Sequence, residues 1–135
     1  MYLFNTATFG QWQLPADWLQ LGDTITLSPD KPPVFGYEAI RIPLYLSWAK
    51  LLTPDKREIF TAYAHDSQTQ LDYLSPKVNL LNNSFTKYPA STGFSSTYQL
   101  IANRPVNLLP PQNKDYYSHS LALLSFIAQK QSASQ

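Results

Sequence analysis

The distribution of apolar residues predicts two consecutive helices near the middle of this chain of 135 residues. Residues 39–52 are apolar nearly all round, which is typical of a helix that is buried on most sides. The pair Thr53-Pro54 then supplies an N-cap and a first-turn proline for a second helix. The pattern therefore predicts helices over 39–52 and 54–65.

Two further helices are predicted in the second half. Residues 94–103 place apolar and aromatic side chains on one face. A last helix over 115–129 begins with Asp115 as its N-cap. Its inner face repeats at i, i+4, i+7 and i+11, and consists of Tyr117, Leu121, Leu124 and Ala128.

The connections between these helices are rich in proline. Eleven prolines against four glycines indicate short elements with rigid connections. Residues 14–19 predict one helical turn with Pro15 at its first position, residues 24–27 a brief strand in a minor hairpin, and residues 67–92 mainly loop. The predicted class is mainly α, with helices joined by proline-rich loops.

Composition narrows the possible functions. A hydrophobic fraction of 44% is typical of a packed globule, and the length suits a single region covering residues 1–135. The net charge of +1, with 14% charged residues, lacks the electrostatic footprint of a nucleic-acid-binding protein. No apolar run approaches the roughly 20 residues that span a bilayer, and the first residues lack the pattern of a signal peptide.

The sequence offers little to bind a metal or a cofactor. There is no cysteine, so a disulfide framework and a thiolate metal site are both excluded. The two histidines, His65 and His119, lie far apart without the spacing of metal ligands. We therefore expect neither a metal nor a cofactor.

The segment of residues 35–46 holds the strongest candidate chemistry. Glu38 and Arg41 lie three residues apart, so they share a face if the segment is helical. Because proline is tolerated only in a first helical turn, Pro43 indicates that the helix is just beginning there. A charged pair is thus predicted at the amino-terminal end of a buried helix. Either the carboxylate acts on a ligand, or the ion pair only fixes the start of the helix.

The same segment resembles the general-base motif of glycoside hydrolase family 8. In that motif Tyr-Asp-Ala-x-Arg precedes an apolar helix that often contains proline, and here Glu38 stands in place of the aspartate. Residues 9–18 and 115–124 also resemble segments of the family's endoglucanases that are associated with bacterial cellulose synthases, in the same order. The resemblance implies an (α/α)6 barrel, of which this chain is about the carboxyl-terminal third.

The resemblance also implies roles for individual residues. Glu38 matches the general base of an inverting enzyme, and Arg41 keeps that carboxylate ionised and oriented. Tyr37 holds the water or a sugar hydroxyl, and Trp12 lines the substrate groove. Trp12 and Trp18 flank one turn, and core packing of at least one of them is the alternative to stacking on glucosyl rings.

The resemblance places the family's general acid upstream of every matched segment. The parent enzyme is then an endo-β-1,4-glucanase (a cellulase), periplasmic or secreted, that cleaves a β-1,4-glucan by inversion. This chain alone is expected to be inactive and to need a missing amino-terminal half. The alternatives are a non-catalytic glucan-binding or interaction module and an inactive truncated remnant. A part of a barrel should leave apolar side chains partly uncovered, among them Ile40, Leu44, Leu51, Leu121 and Leu124.

Overall fold

Helices make up most of the secondary structure in residues 7–106 and 116–133, the parts of the chain that this computed structural model describes. The four helices of these parts are α1 (Arg41–Trp48), α2 (Pro54–Leu71), α3 (Thr92–Ile101) and α4 (Tyr116–Ala133). Their strands are β1 (Thr8–Phe9), β2 (Leu14–Pro15), β3 (Leu19–Leu21), β4 (Ile25–Leu27), β5 (Val34–Phe35) and β6 (Val78–Asn79). The predicted mainly α class is confirmed.

The strands form three antiparallel pairs, each of two strands: β1 with β2, β3 with β4, and β5 with β6. The strand predicted within 24–27 is present as β4. The helical turn predicted over 14–19 is wrong, because Leu14 and Pro15 pair with β1 after a turn in which Gly10 has a φ of +77°. Proline lacks an N–H, and a two-stranded pair has only edge strands, where that loss is tolerated.

Helix α1 is shorter than its apolar run predicts. It ends at Trp48, and Lys50 takes a left-handed φ of +59°. The N–H of Leu51 then donates to the carbonyl of Leu46 at 2.8 Å, which caps the last turn of the helix. The predicted end at residue 52 is wrong because this cap forms without the glycine that usually marks it.

Helix α2 is longer than predicted and continues to Leu71. Its end comes at Asp72, which has a left-handed φ of +65°. The sequence predicts a loop for the polar residues at the carboxyl-terminal end of α2, yet most of them lie on an exposed face of the helix. The buried hydroxyl of Ser67 donates to the carbonyl of Tyr73 at 2.9 Å and accepts the N–H of Ser75 at 2.7 Å. Because both hydrogen bonds give the buried hydroxyl of Ser67 a partner, this polar side chain can lie on the buried face of α2.

Helices α3 and α4 make the most extensive helix contact among the described residues. The N–H of Gly93 donates to Ser118 Oγ at 2.8 Å, and the Thr97 and Ser125 hydroxyls lie 3.0 Å apart. On α4, Leu121 and Ala128 are buried and Tyr117 and Leu124 are partly buried, as the predicted inner face requires. The predicted N-cap, Asp115, lies outside the described residues.

An aromatic cluster fills the centre of the core and joins β5, α2 and α3. Successive ring centroids lie between 5.5 and 6.5 Å apart, which is the normal range for aromatic pairs. The cluster consists of Phe35, Phe60, Tyr63, Phe94 and Tyr98. Trp48 is partly buried against this core, and its indole N–H donates to Gln131 Oε1 at 2.6 Å.

The exposed apolar residues differ from those expected. Ile40, Leu44 and Leu121 are fully buried, because α1 packs against both α3 and α4. Leu51 is exposed as expected and Leu124 is partly buried. The other exposed apolar residues of these helices are Ile42, Tyr45, Leu123 and Ile127. Within the described residues, no helix combines the length and apolar character needed to cross a membrane.

Candidate catalytic site before helix α1

Glu38 lies in a turn, residues 36–40, that joins β5 to α1. Within this turn the N–H of Ile40 donates to the carbonyl of Gly36 at 3.1 Å, and the N–H of Ile42 donates to the carbonyl of Ala39 at 3.0 Å. These bonds coil the backbone just before the helix begins at Arg41. The turn therefore presents Glu38 at the amino-terminal end of α1.

The side chains of Glu38 and Arg41 form an ion pair between Oε2 and Nη2. Glu38 is 45% exposed and Arg41 is 43% exposed. The spacing of three residues places both side chains on one face, as the sequence predicts. A carboxylate with this exposure is within reach of water and of a ligand.

Tyr37 is held beside Glu38 by packing. Its ring meets the rings of Phe94 and Tyr117 edge to face, at centroid distances of 5.8 and 6.0 Å. The ammonium of Lys77 lies 5.3 Å from the centroid of the same ring. The backbone carbonyl of Tyr37 also accepts a hydrogen bond from the Tyr117 hydroxyl. The turn is thereby joined to both α3 and α4.

Tyr117 is a member of this site that the sequence did not indicate. Burial raises the pKa of its hydroxyl, and the nearby positive charge of Arg41 opposes that shift. The negative charges of Glu38 and Asp17 act in the same direction as burial on this pKa. The helical pattern identified Tyr117 only as an inner-face residue, and no sequence signal connects it with residues 80 positions away.

Asp17 is a second member that sequence reasoning missed. Its Oδ1 accepts the N–H groups of Gly36 and Ala39, each at 2.8 Å. Its own N–H donates to the carbonyl of Val34 at 2.8 Å. Burial raises the pKa of the Asp17 carboxyl, and the hydrogen bonds from the turn partly offset that shift. The only available signal was its place in the block of residues 9–18.

Trp12 lies in the core, which disfavours the predicted role in a substrate groove. The residue is 8% exposed, and its indole N–H donates to Asp66 Oδ2 at 2.7 Å. Its ring contacts Tyr63 and Phe85, at centroid distances of 5.6 and 5.2 Å. A ring that stacks on a sugar needs an open face, and further protein segments would only bury Trp12 more deeply. Trp18 is 45% exposed, and the Lys31 ammonium lies 4.9 Å from its ring.

Metal-ligating groups do not gather in the described parts of the chain. No three side chains among their histidines, aspartates and glutamates are placed to share a metal ion. The turn brings together a half-exposed carboxylate, a guanidinium and a packed tyrosine. Such a set can accept a proton from a bound water and hold a polar ligand.

Comparison with known proteins identifies the relatives of this chain. The sequence profile of glycosyl hydrolases family 8 matches residues 1–131. A probable endoglucanase of Novacetimonas hansenii is 33% identical over 131 residues, which cover 93% of this chain and 38% of that protein.

Two solved structures share the fold over nearly the whole chain. The endo-β-1,4-glucanase CMCax of Acetobacter xylinum is 31% identical, with a TM-score of 0.83 over 98% of this chain and 42% of that structure. An endoglucanase of Komagataeibacter sucrofermentans is 33% identical, with a TM-score of 0.82 over 97% of this chain and 42% of that structure.

The chain thus spans about two fifths of the length of these relatives. The likeness confirms the predicted part of an (α/α)6 barrel. The profile matches nearly all of the sequence, including the turn and α4 as far as residue 131. The chain belongs to glycosyl hydrolases family 8.

Proposed function

We propose that residues 1–135 form the carboxyl-terminal portion of the catalytic domain of an inverting endo-β-1,4-glucanase. In this proposal the chain supplies the general base, Glu38. The proposal rests on one observation. In a chain of family 8, the half-exposed carboxylate of Glu38 lies at the amino-terminal end of α1 and is ion-paired with Arg41.

Inversion requires two carboxyl groups with different tasks. One takes a proton from a water whose oxygen bonds to the anomeric carbon, and the other gives a proton to the leaving oxygen as the glycosidic bond breaks. Their separation is about 6.5–9.5 Å, which leaves room for the water. Glu38 takes the first task, because its carboxylate is ion-paired with Arg41 and is still 45% exposed to water. Tyr37, packed next to it, contacts the water or a sugar hydroxyl.

The relatives support the proposed substrate class, because they are endoglucanases and an endo-β-1,4-glucanase by name. The proposed ligand is therefore a β-1,4-glucan of the cellulose type. The acid that protonates the leaving group belongs, in this proposal, to the amino-terminal part of a complete family 8 catalytic domain. That part is the proposed protein partner, and the complete enzyme acts in the periplasm or outside the cell.

The proposal is tested by assembling the chain with the amino-terminal part of a related family 8 endoglucanase. Alone, the chain should not hydrolyse soluble β-glucan, because one carboxylate cannot serve both steps. The assembled enzyme should release reducing ends. In that assembly Glu38→Gln should abolish turnover while glucan binding survives, because an amide cannot take the water's proton. Glu38→Asp should keep or raise turnover, since it restores the side-chain length usual in the motif.

The matched control is Glu58→Gln, which alters the other glutamate of the chain, an exposed residue of α2. Its turnover should equal that of the unaltered assembly. If Glu38→Gln hydrolyses glucan at the parental rate, then Glu38 is not the base and the ion pair only fixes the start of α1. An assembly that binds glucan without cleaving it would instead favour a non-catalytic glucan-binding module.

A further inference from the structure

The turn that carries Glu38 is held by a carboxylate from a distant segment. Asp17 lies 19 residues before Gly36 and 22 residues before Ala39, and one oxygen atom, Oδ1, accepts the N–H of both. These two N–H groups lie on either side of Glu38 in the turn. Because Asp17 also donates its own N–H to Val34, three hydrogen bonds connect the two segments.

Helix α1 lacks a cap of its own at this end. Its N-cap residue is Ile40, which has no side chain able to accept a hydrogen bond, and its first turn holds no acidic residue. A helix beginning leaves N–H groups without partners, and a nearby carboxylate also interacts favourably with the positive end of the helix dipole. Asp17 Oδ1 accepts the N–H groups of Gly36 and Ala39, so it holds the turn that leads into α1 and does not cap the first N–H groups of the helix itself.

The space around the turn is filled. A Cβ added to Gly36 would lie 3.0 Å from Asp17 Oδ2 and 3.0 Å from Lys77 Cγ. The Lys77 side chain passes over this glycine and places its ammonium against the ring of Tyr37. The carboxylate of Asp17 therefore fits the turn closely and leaves little freedom to either segment.

We propose that Asp17 is the positioning residue of the candidate base, because it fixes the turn from which Glu38 projects. This inference rests on the proposed function, in which Glu38 takes the proton of the attacking water. Asp17 acts through the backbone of the turn and does not itself transfer a proton. Without it, the carboxylate of Glu38 would sample several positions, and the placement of a base tolerates little displacement.

Hydrogen exchange on the complete chain tests the contact directly. Asp17→Ala should speed amide exchange at Gly36 and Ala39 by about tenfold or more, because both lose their acceptor. Exchange in the core of α2 and in the α3–α4 pair should not change. Asp17→Asn should retain the protection, since its amide oxygen still accepts both N–H groups. The matched control is Asp23→Ala, which alters an exposed aspartate between β3 and β4.

Turnover of the assembled enzyme tests the consequence. Asp17→Ala should lower kcat for soluble β-glucan by about 10- to 100-fold, and KM should change much less because Asp17 acts through the backbone of the turn. Asp17→Asn should recover most of the lost kcat. A residue that only stabilises the fold would lower the amount of active enzyme and leave kcat per folded molecule unchanged. The concentration of folded enzyme must therefore be measured for each variant, so that kcat is calculated per folded molecule.

The outcomes separate this inference from the proposed function. Loss of turnover in Glu38→Gln with an unchanged kcat in Asp17→Ala would overturn the positioning role and leave the function standing. Parental turnover in Glu38→Gln would overturn the function, and the inference with it. If Asp17→Ala does not fold, the test uses Asp17→Asn. Fast amide exchange at Gly36 and Ala39 in that variant would show that the side-chain oxygen at position 17 does not protect these N–H groups, and would overturn the inference.

Discussion

The α3–α4 pair and the turn before α1 are held together by different means. The two helices approach so closely that a Cβ at Gly93 would lie 1.8 Å from the carbonyl oxygen of Ser118. Their contact contains buried hydroxyls and apolar side chains. The turn is held instead by hydrogen bonds to Asp17, and its ion pair is nearly half exposed. The first region depends on close packing of two helices, and the second on hydrogen bonds to Asp17 and from Tyr117 together with the packing of the Tyr37 ring.

This difference suggests a division of roles. A closely packed helix contact stabilises the fold and tolerates no added volume. An exposed charged pair contributes little to stability, because water screens it. The residues that we assign to catalysis therefore differ from those that hold the chain together. Substitutions in the two regions should affect different measurements.

The largest effect on stability is expected from Gly93→Ala. The added methyl group would overlap the backbone of Ser118, which cannot move without separating α3 from α4. We expect a loss of about 3 kcal/mol or more in the free energy of unfolding, measured by urea denaturation. Gly22→Ala is the control, because the nearest atom to its added Cβ is the Thr24 carbonyl oxygen at 3.7 Å. Equal stability of the two variants would contradict the close packing of the pair.

A smaller loss is expected from Thr97→Val. The Thr97 and Ser125 hydroxyls are buried and hydrogen-bonded, so removing one leaves the other without this partner. We expect a cost of about 1–2 kcal/mol, and the double variant with Ser125→Ala should cost less than the sum of the two single changes. Thr69→Val, at an exposed position of α2, is the matched control. Strict additivity would show that the two hydroxyls do not interact.

The third prediction concerns pH and Asp17. Because burial raises the pKa of the Asp17 carboxyl above its ordinary value, folding favours the protonated carboxyl. The stability that Asp17 contributes is full below the unfolded-state pKa and is lost as pH rises through the raised pKa of the folded state. Asp17→Asn removes this dependence. Relative to that variant, the unaltered chain should therefore lose stability in urea denaturation as the pH rises from below the ordinary aspartate pKa through the raised pKa of the folded state. A difference that grows in the opposite direction would contradict the raised pKa.

The smallest effect on stability is expected from Glu38→Gln. The ion pair with Arg41 is nearly half exposed, so its loss should change the free energy of unfolding by less than about 1 kcal/mol. The same substitution should abolish turnover in the assembled enzyme. A large loss of stability would place Glu38 among the residues that hold the fold, and would favour the ion pair as a purely structural feature.

Helix positions followed from the sequence better than helix ends did. Periodicity located all four helices of the described residues, because one buried face imposes its spacing on the chain. The end of α1 and the extension of α2 were missed, since Lys50 and Asp72 take left-handed conformations usually marked by glycine. The strand at Leu14–Pro15 was missed because its partner is set by a turn at Gly10.

The candidate site was only partly predictable. The Glu38–Arg41 pair could be predicted from its spacing, because the two residues lie only three positions apart, at the junction of the turn and α1. Asp17 and Tyr117 could not, because each reaches the turn from a distant segment and only the packing of α3, α4 and β2 brings them there. Trp12 was proposed for a groove because aromatic residues suit both sugar binding and cores, and burial alone separates the two.

The sequence by itself determined the mainly α class, the places of the helices and the ion pair before α1. All of these depend on residues close together in the chain, whose spacing fixes which side chains share a face. Only the tertiary structure decided which carboxylate holds the turn, which tryptophan is buried and which apolar residues of α1 and α4 remain exposed. These outcomes depend on contacts between distant segments, where geometry and burial select among residues that are chemically alike.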